Sequence, residues 1–167
     1  MGPSGAPWVG GPGRGPISSS GGTGRVYFLG TYEHTVDERG RLAIPVRYRA
    51  ALAPIVVLAK GPDGCLEVYT PQEFERKAGH LLAGATNRQR DRRLGRAFFG
   101  GAAEVEIDSQ GRVLIPAPFR QWAGLTGPAV ILGRGAFLEL WSASRWEAEQ
   151  AVVEDDFARA LETMEPR

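Results

Sequence analysis

The chain has 167 residues, 43% of them hydrophobic and 23% charged, which is a globular composition with enough apolar material for one ordinary domain or two very small ones. Its longest apolar runs, such as 55–59 and 129–132, are far too short to span a bilayer, and a single cysteine, Cys65, allows neither an internal disulfide nor a multi-cysteine zinc site. The net charge of +1 conceals two opposed parts: residues 25–96 hold 13 Lys+Arg against 8 Asp+Glu, whereas 97–167 hold 6 against 11, an asymmetry able to orient a partner or attract neighbouring subunits.

Residues 1–24 contain nine Gly, four Pro and four Ser, too little apolar surface to offset the entropy of ordering, and read as a disordered tail. They hold no continuous apolar stretch of the secretory type, which points to a cytoplasmic protein.

From Tyr27 onward the chain repeats itself. Asp37-Glu-Arg-Gly-Arg41-Leu-Ala-Ile-Pro45 recurs 71 residues later as Asp108-Ser-Gln-Gly-Arg112-Val-Leu-Ile-Pro116. Leu66-Glu67-Val68-Tyr69 returns as Leu138-Glu139-Leu140-Trp141, and Phe74-Glu75 as Trp146-Glu147. Two copies are too few for a solenoid and indicate a duplicated module. In each copy, period-2 alternation before and after the motif (Val105, Ile107, then Val113, Ile115; Leu42, Ile44 in the first) predicts two strands joined by a glycine turn as a hairpin. Gly40 and Gly111 supply positive φ there, and Asp37 and Asp108 can accept from their own downstream amides.

Pro45 and Pro116 end those strands and suit the first turn of short helices over 46–52 and 117–124. Further strands are predicted over 55–59 and 65–69, and over 129–132 and 136–141. Thr70-Pro71-Gln72-Glu73 reads as a capped helix start, and Ser144-Arg-Trp-Glu147 as its second-copy counterpart. A basic helix over 87–99 joins the copies, and a helix over 142–162 closes the chain. The organisation expected is a tail at 1–24, a first module at 25–86, a basic linker at 87–99, a second module at 100–150, and a helix end and tail at 151–167. The fold class is α+β, mainly β with short helices. Modules of about 60 residues are marginal alone, so the two are expected to pack together.

The motif Asp-x-x-Gly-Arg-x-x-x-Pro at 37–45 and 108–116 resembles the swapped-hairpin barrel module of the AbrB/SpoVT superfamily, and two copies in one chain resemble the MraZ family. The stretches from Phe28 to His34 and from Arg96 through Phe98-Phe99 to Asp108 are similar to that family too, so the likeness covers about 27–150. The resemblance implies a bacterial transcriptional regulator, usually a repressor, that forms a homo-oligomeric ring on direct repeats of double-stranded DNA in the promoter of the division and cell-wall gene cluster. It implies cytoplasmic, nucleoid-associated placement and no cofactor or small-molecule substrate. Carried over by position, the DNA-facing residues are Arg39, Arg41 and Arg112, supported by the turn residues Asp37, Gly40, Asp108 and Gly111. Two departures stand out: the Gly/Pro tail before Tyr27, and Gln110 where the first copy has Arg39.

Chemically, an arginine fork can take two acceptors on a guanine edge or a phosphate and is charged at any cellular pH. Arg41 and Arg112 have a second reading, as partners of Asp37 and Asp108 in bridges that tie the loop. Arg47 and Arg49 read as a solvated helix face or as phosphate contacts. The run Arg88, Arg90, Arg92, Arg93, Arg96 reads as an inter-subunit or structural element, with phosphate contact as the other choice. Trp122, Trp141, Trp146, Phe74, Phe98, Phe99, Phe119 and Phe137 read as core or subunit interface, and His34 as an ordinary strand residue. His80 has no metal partner at useful spacing. No catalytic residue is expected: phosphate-loop and zinc-protease motifs are missing from the sequence, and Cys65 falls within a predicted strand. The competing function is an oligomeric interaction scaffold with incidental DNA binding. A superfamily antitoxin is disfavoured by the duplication.

Overall fold

The computed structural model describes residues 17–18, 26–84 and 86–164. Most of the 1–24 tail therefore lies outside the described residues, but Ile17–Ser18 (β1) pairs antiparallel with Val26–Tyr27 (β2). The first copy continues as β3 (Thr31–Thr35), β4 (Arg41–Ala43), α1 (Val46–Leu52), β5 (Ile55–Lys60), β6 (Leu66–Tyr69) and α2 (Pro71–Ala83). After α3 (Gln89–Gly100) the second copy follows as β7 (Ala102–Glu106), β8 (Arg112–Leu114), α4 (Ala117–Ala123), β9 (Pro128–Gly133), β10 (Leu138–Ser142) and α5 (Ala143–Met164). The class is α+β, and helical residues outnumber strand residues because α2, α3 and α5 are long. No helix among the described residues is long and apolar enough to cross a membrane.

The strands flanking each motif do not build a hairpin ladder with each other, as their alternation suggested. A single bond joins them in the first copy, Asp37 N–H to the Arg41 carbonyl at 2.9 Å, and in the second copy the like bond from Asp108 to Arg112 is joined by an Ile107–Val113 bridge. Instead β4 pairs with β8 in a separate two-stranded ribbon, Leu42 opposite Val113. The other strands form one antiparallel sheet in the order β3-β9-β10-β6-β5-β7. Each copy's first strand thus sits on the edge of the other copy's strand pair, β3 on β9 and β7 on β5.

This exchange produces one core from two modules. Leu42, Ile44, Val113 and Ile115 beneath the ribbon are fully buried and share a cluster with Val56, Leu58, Ile131 and Leu140 of the sheet. Each such side chain contributes about 1.5–3 kcal/mol on leaving water, a gain neither copy can realise without the other's strands.

The opposite face of β6 and β10 carries a symmetric polar pair. Glu67 and Glu139 stand in register across the two strands and are both buried. Glu67 accepts from Tyr69 Oη at 2.5 Å and Lys77 Nζ at 2.8 Å, and Glu139 from Trp141 Nε1 at 2.9 Å and Arg134 Nε at 3.0 Å. Burial, and then the neighbouring Glu67, push the Tyr69 hydroxyl far up, so it is a donor at every physiological pH.

Local chemistry sets the helix ends. Thr70 caps α2 as expected, its hydroxyl accepting from Glu73 N–H at 3.2 Å. At α5 the cap is Ser142 rather than Ser144: Ser142 Oγ accepts from Arg145 N–H at 3.3 Å, because the helix begins one residue past β10 and the nearer hydroxyl faces its amides.

Candidate nucleic-acid interface

Each motif folds into the same tight loop. Asp37 Oδ1 accepts from the Arg39 and Arg41 amides, and Asp108 Oδ1 from the Gln110 and Arg112 amides, all at 2.9 Å. Gly40 and Gly111 donate back to the Asp37 and Asp108 carbonyls at 3.0 and 2.9 Å, with φ of 81° and 75°. The Arg41 amide holds the Asp37 carboxyl below the ordinary 3.8, and the Arg112 amide does the same for Asp108. The aspartates are therefore ionised acceptors that shape the loops.

The ribbon aims the arginines. Along β4, Leu42 points into the core, so Arg41 and Ala43 face outward; along β8, Val113 points in, so Arg112 and Leu114 face outward. Arg41 stands opposite Leu114, and Arg112 opposite Ala43. Arg41 and Arg112 are therefore diagonal neighbours on one exposed face, about 7–8 Å apart. Arg39 and Gln110 lie at the exposed loop tips.

The loop-tying bridge considered for both motifs forms in one. Arg112 Nε donates to Asp108 Oδ2 at 3.1 Å. In the first loop Asp37 receives the Arg41 backbone amide, and among the described residues no ion pair engages the Arg41 guanidinium.

The glycines do more than turn. The Gly40 carbonyl accepts from Ile115 N–H at 2.9 Å and the Gly111 carbonyl from Ile44 N–H at 2.8 Å, so each loop is bonded to the other copy. Each is also covered by the other copy's helix. A Cβ at Gly40 would sit 2.7 Å from the Arg120 guanidinium carbon, and one at Gly111 only 2.1 Å from Arg49 Nε. Arg49 Nε itself donates to the Ile44 carbonyl at 2.9 Å. Sequence reasoning missed Arg120, although the 71-residue offset that links the motifs takes Arg49 to it.

Arg47 and Arg49 are not the solvated helix face expected of them. Both are half-buried. Arg47 donates to Tyr32 Oη at 2.8 Å and its guanidinium lies 5.4 Å from the Tyr48 ring centre, because α1 packs on β3. His34 is a strand residue of β3, as expected, and burial followed by the charge of Arg49 lowers its pKa from 6.5. Cys65 sits one residue before β6 rather than within the strand. It is fully buried, and burial together with Glu139 and Glu67 pushes its thiol up to about 12, which removes it as a nucleophile at neutral pH. Of the aromatic residues, Trp141 and Phe119 are buried, Phe74 stacks on Phe98 at 5.1 Å, and Trp122 and Phe99 remain exposed. Among the described residues no three His, Cys, Asp or Glu side chains come together to hold a metal.

A two-stranded antiparallel ribbon is one of the two elements that fit the major groove of B-DNA, the other being an α-helix. The spacing of Arg41 and Arg112 is close to two base steps of 3.4 Å each.

The MraZ family model, whose members are described as antitoxin-like, matches the chain twice, over residues 27–96 and 98–167. Proteins named transcriptional regulator MraZ are similar over most of the chain. The one from Mycoplasmoides gallisepticum is 41% identical over 138 residues, covering 83% of this chain and 97% of the relative. That of Herpetosiphon aurantiacus is 44% identical over 131 residues, covering 78% and 89%. That of Heliobacterium modesticaldum is 45% identical over 119 residues, covering 71% and 83%.

Proposed function

The chain belongs to the MraZ family, and on that premise we propose that it is a sequence-specific regulator of transcription that binds double-stranded DNA through the outer face of the β4–β8 ribbon. The observation that carries this reading is the joint placement of Arg41 and Arg112 on one outward face, with Arg39 at the neighbouring loop tip. Arg41 reads base edges, Arg39 and Arg112 share base and phosphate contacts, and Asp37 and Asp108 with Gly40 and Gly111 hold the loops in shape. Because Arg47 and Arg49 are tied to Tyr32 and Ile44, they support the surface more than they extend it.

A few arginine contacts from one chain bind weakly and with steep salt dependence. Several copies in a homo-oligomeric ring, each presenting its ribbon to one direct repeat, gain affinity without a new kind of contact. We place this ring on promoter repeats of the division and cell-wall gene cluster, in the cytoplasm at the nucleoid, where it represses by blocking polymerase. The modules act as the units 25–86 and 100–150, joined by 87–99.

The test is fluorescence anisotropy on duplex DNA from upstream of the protein's own gene cluster, beside a scrambled duplex, across a salt series. Preference for the native repeats, lost in Arg41→Ala while the column size is unchanged, supports the regulator. The Asp108–Arg112 ion pair favours the second reading, a scaffold whose motif arginines are structural. Equal binding to both duplexes, or loss of the oligomer in Arg41→Ala and Arg112→Ala, selects it.

A further inference from the structure

The two halves of the molecule treat equivalent helices differently. Phe74 near the start of α2 corresponds to Trp146 near the start of α5, at an offset of 72 residues. Over α2, the chain folds α3 back so that Phe98 and Phe99 lie 5.1 and 6.4 Å from the Phe74 ring. Trp146 packs on the buried cluster of Cys65, Val130 and Trp141, its ring 5.7 Å from that of Trp141, and among the described residues no counterpart of α3 lies along α5. Helix α5 packs on β9 and β10 near its start and then runs out with no buried residue.

Its exposed length is patterned. In line with the half-buried Trp146, the exposed Val153, Phe157, Ala160 and Met164 fall on one stripe at spacings of 7, 4, 3 and 4 residues, and Phe157 is 63% exposed. A solvated helix carries no such stripe without a partner. On the helical wheel Glu147 and Glu154 border it on one side, and Glu149 and Asp156 on the other. The helix carries six acidic residues against Arg145 and Arg159.

Helix α3 has the opposite character. With its cap it holds Arg88, Arg90, Arg92, Arg93 and Arg96 against Asp91, which Thr86 already engages. Among the described residues none of the five arginines forms an ion pair, and Leu94 stays 51% exposed between them.

We propose that α5 of one copy docks its apolar stripe against the exposed side of α3 of the next copy, its flanking carboxylates meeting the α3 arginines. The inference rests on the homo-oligomeric ring proposed above and names the surface that builds it. The two faces differ, so the contact is head-to-tail, and such a contact closes into a ring when its rotation permits. A 22-residue helix, about 33 Å long, spans a subunit boundary.

The experiment is mass measurement by light scattering on a sizing column, with circular dichroism as the check on folding. An α5 variant, Glu154→Lys with Asp156→Lys, and an α3 variant, Arg90→Glu with Arg93→Glu, alter only exposed charges. Each is expected to fall from the multimer to single-chain mass. An equimolar mixture keeps one intact junction, between the unaltered α3 of the first and the unaltered α5 of the second, and grows beyond two chains where the altered faces also attract after double reversal; mass of two chains or more in the mixture, absent from either alone, supports the proposal. Folded variants that both retain the wild-type mass, or a mixture that stays monomeric, overturn it while leaving a wild-type ring intact. A wild-type chain that is itself monomeric overturns the ring reading and this junction together.

Discussion

Residues 37–41 and 108–112 adopt one loop with one set of backbone bonds, yet they present different charge. The first loop carries Arg39 at its tip and an Arg41 guanidinium with no ion pair among the described residues; the second carries Gln110 and an Arg112 held at 3.1 Å by Asp108. The difference teaches that shape and chemistry are set separately in this fold. Aspartate and glycine build the loop, and the residues between them decide how much positive charge it offers.

The largest expected effect tests that asymmetry in binding. Arg41→Ala removes a cation with no ion pair to give up and should cost about 1–3 kcal/mol for the preferred DNA, roughly 5- to 150-fold in Kd. Arg112→Ala should cost less than about tenfold, since its contact to DNA competes with Asp108. Anisotropy titrations of both variants give the comparison, and equal losses would mean that the ion pair does not restrain Arg112.

The glycine turns break the comparison in the other direction. Gly40→Ala and Gly111→Ala force an L-residue into positive φ, at about 1–2 kcal/mol each. The Gly111 variant should be the less stable, because Arg49, whose Nε would lie 2.1 Å from the new Cβ, gives up its bond to the Ile44 carbonyl when it moves aside, whereas Arg120 Nε beside Gly40 has no hydrogen bond to lose among the described residues. Urea midpoints would rank them.

Gln110→Arg should equalise the loops. An added phosphate contact steepens the salt dependence of log K by about 0.9 per site, with little change in stability. An unchanged slope would place the second loop tip away from DNA.

The smallest effect is a titration. Asp37 and Asp108 both have folded pKa values below the ordinary 3.8, so their contribution is present above that value and is lost as pH falls below it through the folded values. Carboxyl NMR should give midpoints below 3.8 for both. Arg112→Ala should raise that of Asp108 more than that of Asp37, since only Asp108 accepts the Arg112 side chain.

Much of the local chemistry was legible in the sequence. The glycine positions, the aspartate acceptors, the Thr70 cap and the inward residues Leu42 and Val113 all follow from short-range rules, because a turn bonds to itself and alternation shows which side faces the core. The candidate cations Arg41 and Arg112 came from the family resemblance of the motifs, and alternation around the inward residues agrees with their outward placement. Alternation cannot say which strand lies alongside, and here the expected hairpins gave way to exchange. The Ser142 cap likewise depended on where β10 ended, and the half-burial of Arg47 and Arg49 on what α1 packed against.

By itself, then, the sequence determined a duplicated α+β module, the two loops and the identity of the cations they offer, because those properties are carried by residues a few positions apart. Only the tertiary structure decided that β4 pairs with β8, that Arg49 and Arg120 each cover the other copy's glycine, and that Arg41 and Arg112 share one face. Those contacts join residues some 70 positions apart, and they form because neither copy can bury its core without the other's strands.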